Sequence, residues 1–325
     1  MRIIITGGSG FIGTNLVERF ISSDNVVLNL DIAAPRNHTH HSYWMAQDLL
    51  DKVGLRSVMH DFAPDIVFHM AARTDLDGGT IDDYAANTVG VANLIAAVLG
   101  VTSLQRIVFA SSRLVCRIGY EPTSEFDYCP TTPYGESKVI GEKLVRDAMA
   151  QLPCPALIVR PTSIWGPWFD VPYKTFFLTI ARGRYVHPGK AKILKSFGFV
   201  GNTVHELERL MVAPASAVAG QTFYLGDYPP IDVAVWANAI QRALRVAPLR
   251  RVGVGALRAA AWLGDCLKAC GWKYSPLTSF RLNNLLTPMV HDLAPLQAVV
   301  GALPYSMDEG VQVTVDWLRV QGEVS

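Results

Sequence analysis

The chain has almost no net charge, few cysteines and no long apolar run, and each shortage removes a class of function. Its 325 residues carry a formal net charge of +1, so no overall field draws it to nucleic acid or to a membrane. The five cysteines (Cys116, Cys129, Cys154, Cys266, Cys270) are odd in number and follow no metal-ligand spacing, as expected of free thiols in a reducing compartment. No stretch reaches the ~18–20 apolar residues of a membrane span. The nearest approach, Val252 to Trp272, is broken by Arg258, Asp265 and Lys268. The chain opens on the strand-like Arg2-Ile3-Ile4-Ile5, without the regions of a signal peptide. These absences predict a cytoplasmic protein with no integral membrane segment, no nucleic-acid partner and no bound metal. His38, His40 and His41 lie in a polar stretch, 35–42, without a carboxylate or further histidine at matching spacing, and read as a solvated loop.

What is present is a strict alternation of strand and helix signals. Ile3–Ile5, Val26–Leu30, Ile66–Met70, Ile107–Ala110 and Leu157–Val159 are short apolar runs of the buried-strand kind. Between them helical spacing appears at Asn15–Ser22, Tyr84–Leu99 and Tyr134–Gln151. The pattern predicts an α/β fold, a doubly wound parallel sheet with a smaller C-terminal substrate-binding domain. The division is expected near residue 165, with strands returning to the sheet from about 198–228 and residues 166–325 mostly binding substrate. Within that half, Gln221–Leu225 reads as a strand, and Val233–Leu244 and Val311–Val320 as helices, the last with Val311, Val315 and Leu318 on one side. Arg251–Gly271 reads as an Ala/Leu-rich core helix; a greasy pocket wall or a membrane surface are its alternatives.

Gly7-Gly8-Ser9-Gly10-Phe11-Ile12-Gly13 stands directly between the first strand and a helix. In that context Gly7 permits a tight turn, Gly10 lets the backbone approach a pyrophosphate, and Gly13 allows close helix–strand packing. The helix N-terminus adds free N–H groups and a positive dipole end. Asp31 closes the second strand, where a carboxylate binds ribose hydroxyls and repels a 2′-phosphate. The expected cofactor is NAD, with NADP left open by Arg36 nearby.

Tyr134 and Lys138 are four residues apart and share a helix face. A phenol titrates near pH ~10, and a fixed cation beside it is expected to lower that value toward neutrality. Tyr134 then serves as acid and base for a substrate alcohol, and Ser112, at the end of a strand, orients the substrate oxygen.

In their order, Gly7-x-x-Gly10-x-x-Gly13, Ser112 and Tyr134-x-x-x-Lys138 resemble the extended short-chain dehydrogenase/reductases, the NAD-dependent epimerase/dehydratase family that acts on nucleotide sugars. The resemblance covers nearly the whole chain and implies further roles. Asp48-Leu49 matches the pair after the third strand, whose carboxylate meets the adenine. His69-Met70-Ala71-Ala72 matches the run whose backbone lies along the cofactor. Asn87 matches a structural and proton-relay asparagine, and Arg160-Pro161-Thr162-Ser163 begins a segment beside the nicotinamide. Lys138 would also hold the nicotinamide ribose. Ser163, Lys195 and Arg281 fall where substrate contacts are expected, Lys195 gripping a diphosphate. The helices at Tyr84–Leu99 and Tyr134–Gln151 resemble those of a four-helix homodimer interface.

Departures narrow the choice. Arg113 and Leu114 replace the Asp-Glu pair of the family's dehydratases, which disfavours water elimination. Val115-Cys116-Arg117 replaces the usual Val-Tyr-Gly; Cys116 reads as a small buried residue rather than an acid, and His187 as polar loop surface. The first reading is a nucleotide-sugar 4-epimerase or 4-keto reductase. A 3β-hydroxysteroid or other secondary-alcohol dehydrogenase is suggested by Leu303-Pro304-Tyr305-Ser306 with Val315-Asp316-Trp317-Leu318. A non-catalytic NAD(P)-sensing protein is the third, with the intact Ser112, Tyr134 and Lys138 against it.

Overall fold

Ile3, Ile4 and Ile5 are fully buried because their strand lies inside a seven-stranded sheet covered on both faces. A computed structural model describes residues 1–272 and 277–325, which divide into two units. Elements are numbered along the chain. The first unit, Met1–Phe169 with Gly198–Asp227 and Asp292–Tyr305, holds β1 (Arg2–Thr6), β2 (Val26–Asp31), β3 (Trp44–Ala46), β4 (Ile66–His69), β5 (Arg106–Ala110), β6 (Ala156–Pro161) and β11 (Thr222–Leu225). All pair in parallel, in the order β11-β6-β5-β4-β1-β2-β3. The run 3-2-1-4-5-6 is the doubly wound dinucleotide order, whose direction of winding reverses between β1 and β4. A ligand crevice is expected there, at the carboxyl ends of the strands.

The helices of this unit are α1 (Phe11–Ile21), α2 (Lys52–Phe62), α3 (Ala85–Val98), α4 (Pro133–Ala148), α6 (Val200–Val212), α7 (Ala215–Val218) and α11 (Ala294–Val300). Leu94, Val98, Ile107, Val145 and Ile158 belong to the core between sheet and helices. The start of α4 is fixed by sequence: Pro133 occupies its first turn and the Thr132 hydroxyl accepts from the Gly135 N–H at 3.1 Å. Tyr134, Ser137, Lys138, Gly141, Glu142 and Val145 then form its buried face.

Two expectations change here. The first helix begins at Phe11 rather than Asn15, because Gly10 is its N-cap and the glycine turn runs straight into it. The polar stretch expected as a solvated loop contains a short 3-10 helix, His38–Tyr43, followed by the edge strand β3. His38 and His41 are exposed, but His40 is buried beside Asn37, and burial lowers its pKa. A three-residue edge strand is too short to show a period.

The second unit, Asp170–Phe197 with Tyr228–His291 and Ser306–Ser325, holds α5 (Tyr173–Ala181), β8 (Val186–Pro188), β9 (Leu194–Lys195), β12 (Ile231–Asp232), α8 (Val233–Leu244), β13 (Arg250–Val252), α9 (Val254–Ala269), α10 (Ser279–Leu286) and α12 (Met307–Val320). Its centre is Trp236, stacked on Phe176 at 4.9 Å and 4.4 Å from the Phe197 ring. The closing helix starts one turn earlier than its apolar spacing indicates, because Ser306 and Glu309 form a capping box. Val311, Val315 and Leu318 are buried as expected. α9 departs from its reading as a core helix: only Leu257, Ala261 and Gly264 are buried, and its remaining apolar residues face outward or are half-buried.

Beneath the first unit's sheet end lies a fully buried ion pair. Arg160 donates to both carboxylate oxygens of Glu142 at 2.8 Å, and further to the Tyr224 hydroxyl and the Glu125 carbonyl. Losing one member strands a buried charge, which costs about 3–5 kcal/mol, whereas apolar replacement of both is far less costly. Glu142→Leu is therefore expected to lower the urea unfolding free energy by about that much, and Glu142→Leu with Arg160→Met to restore part of it. A single-variant loss below about 1 kcal/mol would show that the pair is not isolated from solvent.

Candidate active site

The residues singled out in the sequence lie at or just after the ends of β1, β2, β3, β4 and β5, in or just after β6, and on α3 and α4 of the first unit, with Lys195 and Arg281 in the second. After β1 the chain turns at Gly7, whose φ of +73° and 2.5 Å separation between a built Cβ and the Ala71 backbone require glycine. A Cβ on Gly13 would stand 2.1 Å from the Gly7 carbonyl, so α1 lies tight against the turn. Gly10 caps α1 without any side-chain hydrogen bond, and Phe11 and Ile12 follow half-buried. The helix N-terminus thus presents backbone N–H groups rather than side chains, the cradle a pyrophosphate needs. Asp31 holds its place by accepting from the Ser9 N–H at 3.0 Å and the Ala33 N–H at 2.9 Å. Arg36 turns to the Trp168 carbonyl, 2.8 Å away.

Met70, Ala71 and Ala72 follow β4 half-buried, with Met70 N–H on the Thr6 carbonyl at 3.0 Å. Asp48 is exposed and accepts from Leu50 N–H, while Leu49 is part of the core. Asn87 is locked: its oxygen accepts from Arg73 N–H and its nitrogen donates to Arg73 O and the Ser137 hydroxyl, all within 3.0 Å. The Arg160 guanidinium is committed to Glu142, Tyr224 and Glu125, and Pro161 follows half-buried at the end of β6. Ser163 is buried, with no hydrogen-bond partner for its hydroxyl among the described residues.

Of the three residues read as catalytic, Ser112 and Tyr134 meet past β5, and Lys138 lies one turn on along the buried face of α4. The Ser112 hydroxyl shares a hydrogen bond with the Tyr134 phenol and accepts from Leu114 N–H at 3.1 Å. Lys138 donates to the Ala110 carbonyl, the last residue of β5, at 2.8 Å. The phenol moves opposite to the sequence expectation: burial raises its pKa, with the Ser112 hydrogen bond and the Arg113 charge pulling it down and Tyr84 pushing it up. The Tyr84 ring lies 5.9 Å from that of Tyr134. Burial lowers the Lys138 ammonium to about 8, against the attraction of Glu142. Spacing told which face the pair shares; it did not tell how little water reaches it.

Two participants escaped the sequence reading. Glu142 continues the Tyr134–Lys138 series by another four residues, a signal that was available. Arg113 was read only for what it replaces, and its charge bears on Tyr134. Behind them is a cavity of about 20 Å³ lined by His69, Asn87, Ser111, Lys138 and Glu142, room for roughly one water molecule. His69 donates to or accepts from Thr6 at 2.8 Å and is held neutral, its pKa lowered to about 3 by burial and then by Lys138.

In the second unit, Lys195 is buried and donates to the Asn284 carbonyl on α10 at 2.6 Å. Arg281 is exposed on that same helix. His187 is not loop surface but a buried strand residue, 3.0 Å from the Tyr185 hydroxyl. Cys116 packs with Val115 and Val139 and donates to the Asp127 carbonyl, and burial raises its thiol pKa.

A buried ammonium leaves a thermodynamic trace. The folded pKa of Lys138, about 8, lies below the ordinary 10.5, so the unfolded chain binds more protons between those values and stability rises with pH across them. Removing the charge with Lys138→Met should stabilise the ligand-free protein at pH 7 by about 1–3 kcal/mol and flatten that rise. Urea unfolding at pH 7 and pH ~9.5 reads both, and destabilisation at pH 7 would contradict the buried charge.

Comparison with known proteins bears on this geometry. Among relatives, the 3β-hydroxysteroid dehydrogenase/Δ5→4-isomerase of Mycobacterium tuberculosis is 27% identical over 74% of this chain and 69% of its own. The 2-alkyl-3-oxoalkanoate reductase of Stenotrophomonas maltophilia is 28% identical over 96% and 98%. The N-acetyl-α-D-glucosaminyl-diphospho-ditrans,octacis-undecaprenol 4-epimerase of Escherichia coli O157:H7 is 24% identical over 97% and 95%. The structure of UDP-glucose 4-epimerase from Thermotoga maritima with UDP-glucose superposes with a TM-score of 0.75 at 18% identity, covering 99% of both chains, a likeness of fold. Residues 3–226, which hold the glycine cradle, Ser112 and the Tyr134–Lys138 face, match the family model, and the chain belongs to the NAD dependent epimerase/dehydratase family.

Proposed function

We propose that the protein is an NAD-dependent enzyme acting on a secondary alcohol or ketone carbon, with Tyr134 giving and taking the proton. The observation that carries this reading is the hydrogen bond between the Ser112 hydroxyl and the Tyr134 phenol, with Lys138 one turn further along the same buried face of α4. When bound, NAD accepts or supplies the hydride. Ser112 orients the substrate oxygen; Tyr134 removes its proton or returns one; the Ser112 hydrogen bond and the charge of Arg113 favour the anionic phenol. Burial keeps that phenol protonated until then, which suits a group that must hand its proton back.

The substrate we infer is a nucleotide sugar, with 4-epimerisation or 4-keto reduction at a ring carbon. The E. coli relative, a 4-epimerase of a diphosphate-linked sugar matched along nearly its whole length, supports this. In the first unit Ser112 and Ser163 are the proposed substrate contacts; in the second, taken by itself, Lys195 and Arg281 are proposed as diphosphate-binding residues. A dehydratase is disfavoured by Arg113 and Leu114. The second reading is a 3β-hydroxysteroid or other apolar secondary alcohol. It draws on the M. tuberculosis and S. maltophilia relatives and on the hold of Asn284 over Lys195, which a diphosphate would have to displace. We further infer a cytoplasmic homodimer through α3 and α4, where Val89 is 52% exposed; light scattering that gives a monomer at micromolar concentration would remove it.

The substrate test is a thermal-shift panel of UDP-, GDP-, CDP- and dTDP-sugars against steroids and 3-oxoalkanoates, with NAD present. A matching ligand at a hundredfold its Kd adds about 2.7 kcal/mol, seen as a raised Tm. We expect one nucleotide sugar to give this shift and to be turned over, and Lys195→Ala to lose the shift. A response to steroid or oxoalkanoate alone sinks the sugar reading, and a shift without turnover leaves the sensor.

A further inference from the structure

α9 is apolar on the side that its own unit does not cover. Leu257, Ala261 and Gly264 face inward, Leu257 and Ala261 packing with Leu282 of α10. At helical spacing, Ala259, Trp262, Leu263, Cys266, Leu267 and Cys270 fill the opposite arc, and all six are exposed. Trp262 is 63% exposed and Leu263 56%. The arc continues past the helix end: Gly271 turns the chain and the Trp272 N–H returns to the Leu267 carbonyl at 3.0 Å, with the indole 60% exposed. Phe280, at the start of α10, is 69% exposed.

Charge says what covers this face. Residues 250–290 carry six basic side chains and a single acidic one, Asp265, in a chain whose total is only +1. Asp265 is occupied by the Ser279 N–H. Arg250, Arg251, Arg258 and Lys268 are exposed on β13 and α9. A second copy of this face would bring like charges together, whereas an anionic bilayer meets both features: acyl chains for the apolar arc, headgroups for the cations and indoles. No helix among the described residues is long and apolar enough to cross a membrane, so the contact is with one leaflet. We propose that α9, with Trp272 and Phe280, docks the protein on the surface of an anionic phospholipid bilayer. This goes beyond the catalytic reading and does not depend on it.

Flotation with vesicles tests it, under reducing conditions so that Cys266 and Cys270 do not cross-link copies. Phosphatidylcholine vesicles with a quarter phosphatidylglycerol should carry the protein at least about tenfold better than phosphatidylcholine alone. Trp262→Ser with Leu267→Ser should abolish binding. Arg258→Ala, which removes a cation flanking the apolar arc, should weaken it about fivefold. Unchanged Tm and NADH binding in both variants show that each remains folded. Protein that stays with the aqueous fraction, equal binding to both vesicles, or an oligomer that the apolar variant alone loses overturns the proposal.

Discussion

A single ammonium, that of Lys138, sits in a place where a charge is costly, and the first unit is arranged to keep it there. Its Nζ is held by the last carbonyl of β5. Glu142, one helical turn further on, supplies the opposing charge. Arg160 in turn grips both Glu142 oxygens from β6. Lys138, Glu142 and then Arg160 are thus a line of alternating charge running into the protein. Removing Glu142 or Arg160 strands the other, because buried charges are tolerated only as a satisfied set.

The sheet determines where that line ends. Parallel strands place their carboxyl ends along one edge, and the winding reversal between β1 and β4 is where such sheets hold a ligand. The glycine turn after β1 is bare of side chains where a pyrophosphate needs backbone N–H groups, and Asp31 is fixed by two N–H donors at the neighbouring strand end. Ser112 and Tyr134 lie past β5 of the same sheet. The glycine turn and the Ser112–Tyr134 pair, proposed as cofactor cradle and proton-transfer group, are therefore products of one topology.

Much of this could be read before any coordinates. Isoleucine runs and the glycine spacing announced β1 and the turn, and helical spacing put Tyr134 and Lys138 on one face. Depth was the quantity that spacing could not supply. It made the phenol of Tyr134 harder to ionise rather than easier, closed the Arg160 guanidinium into an ion pair with Glu142, and placed His187 inside a strand. α9 misled for a related reason. A helix that is apolar on most sides shows a weak period, so nothing in its sequence separates the face that packs from the face that does not.

If the Tyr134 hydroxyl carries the proton of an NAD-linked reaction, as proposed, its removal must slow hydride transfer. The direct measurement is a single-turnover nicotinamide absorbance trace for the wild type and Tyr134→Phe on whichever substrate the panel identifies, with NADH affinity measured alongside. The account predicts a rate lower by about 10²–10⁴-fold with NADH binding unchanged. A phenylalanine variant that turns over at the wild-type rate would contradict it.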